Sequence, residues 1–115
     1  MNRYAALGIT LDAHEGKRIV VLVARAAAIR HAMDEVMRVL VDADPDDYQV
    51  RRAAGDERIQ FISGGSIRFL SVGATTHGWT ADVVFLDEDV DRMLNQDDWM
   101  NLRAVTQPAG EIIRA

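Results

Sequence analysis

Asp82-Val83-Val84-Phe85-Leu86-Asp87-Glu88-Asp89 runs through four apolar residues and stops abruptly in three carboxylates. A run this short and this apolar reads as a strand buried on both faces, because a buried helix needs ten residues or more. Successive side chains on a strand point to opposite faces, so Asp87 and Glu88 can cooperate only where the strand ends and the chain turns. A second run of the same kind, Arg18-Ile19-Val20-Val21-Leu22-Val23-Ala24, lies far upstream. Between the two, Ile29, Met33, Val36, Met37 and Leu40 repeat at helical spacing within residues 24–44. Two buried strands joined through a helix imply a parallel α/β sheet with a right-handed crossover. Ligands of such sheets bind beyond the carboxyl ends of the strands, the edge that collects Arg25 with Asp87, Glu88 and Asp89.

Around this centre, Tyr4, Leu7 and Leu11 mark a short amphipathic helix over residues 1–13, and His14-Glu15-Gly16 reads as its stop. Residues 42–57 are polar, contain Pro45 and read as a loop with room for one helical turn. In residues 58–72 two alternating runs flank Gly64-Gly65, the signal of a hairpin with a two-residue turn. Residues 73–81 read as a loop, 89–107 as one or two short helices, and the tail Glu111-Ile112-Ile113-Arg114-Ala115 as a short edge strand.

The chain has 115 residues, 49% apolar and 27% charged, which is the composition of one globular domain spanning residues 1–115. The absence of cysteine excludes disulfides and thiolate metal sites, and a net charge of −5 argues against coating nucleic acid by bulk electrostatics. No apolar run is long enough to span a bilayer, and the expected location is cytoplasmic.

The hairpin, the small-residue loop and the acidic strand of residues 58–89 together resemble the Walker B region of phage terminase large subunits, the ATPase motors that package DNA. Residues 16–37 are similar to the strand and helix that follow the phosphate loop in the same family. The resemblance implies a truncated P-loop-NTPase-like three-layer α/β domain with a central parallel sheet and a β-hairpin extension, encoded by a phage or prophage and acting in the host cell. It implies that Asp87 orders magnesium and that Glu88 polarises the attacking water, as a vestige or with a partner's help. His77-Gly78 stands where the family has Arg-Gly, so His77 is the matching nucleotide contact. Arg25, at the ligand edge, is a candidate phosphate contact.

The phosphate loop itself is absent. Lys17, the only lysine, precedes its strand, and six residues at ~3.3 Å each put it roughly 20 Å from the opposite edge. The chain alone is therefore expected to bind neither Mg2+ nor ATP in a catalytic arrangement. The reading is a non-catalytic relative that binds a protein partner, whether a terminase, another phage or host protein, or a second copy, with DNA as a further candidate through Arg25, Arg51 and Arg52. Its alternative is one half of a split ATPase, completed by a chain that carries the phosphate loop, Mg2+ and ATP. Three side readings complete the set. Asp82, Asp87 and Glu88 could form a nuclease cluster, Arg51 and Arg52 could balance Asp42, Asp44, Asp46 and Asp47, and Trp79 could stack on a base or anchor its loop.

Overall fold

The fold is described from a computed structural model for residues 1–73, 80–106 and 109–115. The strand read from Arg18 to Ala24 forms over Arg18–Val23 as β1 and lies within a six-stranded sheet. It pairs in parallel with β4 (Ser66–Ser71) on one side and with β5 (Val83–Leu86) on the other. β6 (Glu111–Arg114) continues the sheet in parallel beyond β5. On the far side β2 (Tyr48–Arg51) and β3 (Arg58–Phe61) add an antiparallel extension to β4, giving the order β2-β3-β4-β1-β5-β6.

Alternation along these strands divides the core in two. Ile19, Val21, Val23, Ile59, Phe61, Ile67, Phe69, Val83 and Phe85 face α1 (Arg3–His14) and α2 (Ile29–Val39). Val20, Leu22, Leu70, Val84 and Leu86 face the other way, against Val90 of the short α3 (Val90–Met93) and Leu102 and Val105 of α4 (Gln96–Thr106). The result is a three-layer α/β domain with a parallel core and an antiparallel hairpin extension, as the apolar strands required.

α2 buries Ile29, Met33 and Val36 of the stripe legible in the sequence and half-buries Met37, but it ends at Val39, so Leu40 is buried from the turn that follows. A 3-10 turn at Ala26–Ala28 precedes it, and another at Leu40–Asp42 follows. α4 starts with a reciprocal cap: Asn95 Oδ1 accepts from the Asp98 amide at 2.8 Å, and Asp98 Oδ2 accepts from the Asn95 amide at 3.0 Å.

Three local expectations fail for tertiary reasons. The stripe Tyr4, Leu7 and Leu11 does not face the core. These residues are 76%, 45% and 54% exposed, while Ala6, Ile9, Thr10 and Ala13 pack inward. Apart from Ile9 the inward face is small, which lets α1 approach the sheet and α2 closely. Second, residues 48–51 are a strand. Four residues of weak alternation become ordered because β3 supplies a ladder and Phe61 a ring 6.3 Å from that of Tyr48.

Third, Gly64-Gly65 is not a two-residue turn. The Gly64 amide donates to Phe61 O and the Phe61 amide to Gly65 O, so the loop is Ile62-Ser63-Gly64 with Gly64 left-handed at φ 92°. Gly65 has a separate task. A Cβ there would lie 1.8 Å from the Ala13 carbonyl oxygen, where the end of α1 rests on the turn. Ser63 Oγ donates to the same oxygen at 3.0 Å and accepts from the Gly65 amide at 3.2 Å.

The amino ends of β1 and β5 are tied by Asp82. Its Oδ2 accepts from the Arg18 amide at 2.8 Å, and the Arg18 Nε lies 3.4 Å away. The Arg18 backbone N–H holds the Asp82 carboxyl below its ordinary value of 3.8; desolvation opposes it, and the Arg18 guanidinium and the Lys17 charge add to the lowering.

Two outcomes follow. Gly65→Ala should cost at least about 2 kcal/mol, because the added methyl meets backbone rather than a side chain that can turn away; urea midpoints at unchanged m would measure it. For Asp82, the folded pKa lies below the unfolded one. Its stabilisation is present above the unfolded value and is lost as pH falls through the folded value. Asp82→Asn should therefore flatten the acid limb of a stability–pH curve and leave the slope near neutrality unchanged.

Candidate functional site

The carboxyl ends of β1, β4, β5 and β6 share one edge of the sheet. There Val72 donates its amide to Val23 O at 2.9 Å, and Asp87 donates its amide to Leu22 O at 3.0 Å. The edge thus gathers Arg25 beyond β1 and Asp87-Glu88 beyond β5, as the topology predicted. His77 and Trp79 lie outside the described residues.

The tip of β5 is a tight turn. The Val90 amide donates to Asp87 O at 3.2 Å, and Asp89 takes the left-handed conformation at φ 66°, the only described non-glycine residue to do so. Aspartate tolerates that region better than most residues. The turn swings Val90 under the sheet, where it is fully buried. It also separates the roles of the two acids. Asp87 is partly buried, whereas Glu88 is exposed beside α1.

Asp87 faces a cation. The Met1 ammonium lies 3.0 Å from its Oδ1 and donates a hydrogen bond to Oδ2 at 3.3 Å. Oδ1 itself is enclosed and accepts no well-directed hydrogen bond. Magnesium demands six oxygens near octahedral geometry and is held by one or two carboxylates together with water and substrate phosphates. Among the described residues no three carboxylate or imidazole side chains converge to hold a metal ion. Glu57 Oε1 is the other enclosed carboxylate oxygen among the described residues, and it lies by the cavity of about 480 Å³ that Glu57 lines.

Lys17 lies where the spacing put it, at the amino end of β1, with Nζ 3.9 Å from Asp12. It cannot reach the acidic tip. Asp82 and Asp87 bracket the four residues of β5, so roughly 16 Å of strand separates them, and the nuclease cluster is pulled apart.

The arginines also sort differently from the sequence reading. Asp56 gathers Arg51 at 3.3 Å, Arg68 at 3.5 Å and Arg58 at 3.8 Å, so Arg51 balances Asp56 rather than the acids of residues 42–47. Arg25 is exposed and forms no ion pair with a described residue, and Arg52 likewise. Arg52 and Arg30 line a cavity of about 480 Å³ between α2 and residues 52–57, which sequence spacing did not suggest.

A larger cavity of about 640 Å³ lies between α1 and the β5–β6 edge. Tyr4, Gly8 and Ile9 form its helix wall, Phe85 and Ile113 its sheet wall, and Asp12 and Glu88 its rim. The exposed stripe of α1 was the one signal in the sequence that could have pointed here. Among the described residues no helix is long and apolar enough to cross a membrane.

No protein-family model matches the chain. No curated protein sequence matches it either. Solved structures do. The large terminase of the HK97 bacteriophage superposes with a TM-score of 0.66 over 97% of this chain at 16% identity. The large terminase of a thermophilic bacteriophage, in complex with ATP-γ-S, superposes with a TM-score of 0.63 over 96% at 17% identity. The same protein in another crystal gives 0.62 over 96% at 17%. This chain spans 26–28% of the length of those terminases. At such identities the likeness is one of fold: the α/β architecture of this chain is similar to a region of phage large terminases.

Proposed function

We propose that this chain is a phage or prophage protein related to the terminase ATPase domain that acts without catalysis, by binding a protein partner. The observation that carries the reading is the mismatch across the sheet. The carboxyl edge keeps an acidic strand tip, Asp87-Glu88, while the only lysine is tied to Asp12 at the opposite edge. Phosphoryl transfer is mostly positioning plus charge stabilisation. An acidic tip without a phosphate cradle repels a polyphosphate instead of stabilising it. A fold kept with such a tip supports recognition as its use.

DNA is the weaker candidate partner. Of the three arginines read as DNA contacts, Arg51 is engaged by Asp56, which leaves Arg25 and Arg52. Too few phosphates would be neutralised to offset the net charge of −5.

A second reading rests on the turn at Asp87–Val90, which holds Glu88 exposed where a water could be polarised. In that reading the chain is half of a split ATPase, and another polypeptide brings the phosphate loop, Mg2+ and ATP.

The isolated chain should show no Mg2+-dependent ATP hydrolysis above a no-protein blank, and Glu88→Gln should not change that. If a chain bearing a Gly-Lys-Ser/Thr loop is encoded beside it, mixing the two decides between the readings. Hydrolysis that appears on mixing and falls at least a hundredfold with Glu88→Gln establishes the split enzyme. Silence supports the binding protein. A strict monomer by light scattering, with no protein recovered from infected cells, would count against binding.

A further inference from the structure

β6 is the last strand of the sheet, and its outer edge is unpaired among the described residues. Glu111 donates its amide inward to Asp82 O at 2.9 Å, and Ala115 donates inward to Leu86 O at 2.9 Å. With a period of two, the N–H and C=O groups of Ile112 and Arg114 therefore point outward. An unpaired ladder of this kind is a template for another strand.

The 640 Å³ cavity adjoins that edge, on the α1 face of the sheet. Ile112 packs with the α4 layer, so Ile113 turns to the α1 face, where it lines the cavity and stays 37% exposed. Tyr4, Leu7 and Leu11 bring an apolar stripe to the exposed face of α1. Gly8 is the odd residue. It sits mid-helix at a cost of about 1 kcal/mol relative to alanine, yet a Cβ there would meet nothing within 4 Å. No contact inside the chain requires a glycine, and its absence of a side chain keeps the cavity wall open.

We infer that the β6 edge and this cavity accept an extended segment of a different polypeptide, one that alternates apolar residues and carries a lysine or arginine. The inference rests on the binding reading above and names where and what is bound. Charge selects the basic residue. The carboxylates on the rim are Asp12 and Glu88, and Glu88 forms no ion pair with a described residue, whereas the Arg114 guanidinium is drawn off to lie over the Trp99 ring at 4.9 Å. The neighbouring Asp87 already holds an ammonium.

Geometry disfavours a second copy. Antiparallel pairing of β6 with its symmetry mate keeps both α1 helices on one face, since the two-fold axis is perpendicular to the sheet. α1 packs over β1 and β4, so at least five strand spacings of ~4.8 Å, roughly 24 Å, would separate the helices. Packed helices lie 8–10 Å apart. A dimer would pair the edge and leave both cavities empty.

The test uses two synthetic ten-residue peptides of alternating valine, identical except for one lysine or one glutamate, titrated against the whole chain and read by amide chemical shifts. The lysine peptide should shift Ile112, Arg114 and Gly8 and bind at least tenfold more tightly than the glutamate peptide. Ile112→Pro removes an outward N–H without touching the bonds to β5, and Gly8→Gln fills the cavity in a helix-compatible way. Each should weaken the lysine peptide at least tenfold, with Gly8→Gln at least as stable to urea as the parent. Equal binding of both peptides, shifts confined to other residues, or full binding by both variants would overturn the inference. So would a dimer in sedimentation that Ile112→Pro dissolves. A protein recovered from infected cells that still binds both variants would leave the binding reading standing and remove this one.

Discussion

Everything in this fold is arranged around β1, a strand paired in parallel on both sides and covered on both faces. Five of its six residues are buried. A strand so placed has no solvent face, so its neighbours must supply both ladders and both helical layers must be present. α1 and α2 close one side, and α3 with α4 the other. The crossovers that carry the chain between β1, β4 and β5 place the strand ends on one edge. The position of Asp87 and Glu88 is thus a consequence of burying β1. Their chemistry is a separate matter.

The join between α1 and the hairpin is the second constraint. The Ala13 carbonyl sits over the place where a side chain of Gly65 would be, and Ser63 bonds the same oxygen. This fixes the end of α1 relative to the start of β4. Along α1, Ala6, Ile9, Thr10 and Ala13 are buried while Tyr4, Leu7 and Leu11 stay exposed.

At the carboxyl edge, charge decides more than shape does. A left-handed Asp89 folds the chain back and leaves Glu88 outside, while Asp87 is partly enclosed with an ammonium. Of the basic groups, Arg51, Arg58 and Arg68 are gathered by Asp56, while Arg25 lies exposed on the carboxyl edge.

The apolar runs at Arg18–Ala24 and Asp82–Asp87 determined the parallel sheet by themselves, because so many consecutive apolar residues have no other way to leave water. The same runs determined the edge on which Arg25, Asp87 and Glu88 lie, and the periodicity of α2 determined its buried face. The spacing of Lys17 from its strand end sufficed to exclude it from that edge. Only the tertiary structure decided which face of α1 is buried, because the apolar stripe and the small stripe compete and close packing favours the small one. It alone decided that residues 48–51 form a strand, since their order comes from the ladder and ring that β3 provides. It separated Asp82 from Asp87, engaged Arg51 with Asp56, and left the outer edge of β6 unpaired among the described residues, beside a cavity. Those outcomes depend on which segments meet across the sheet, and local sequence carries no record of that.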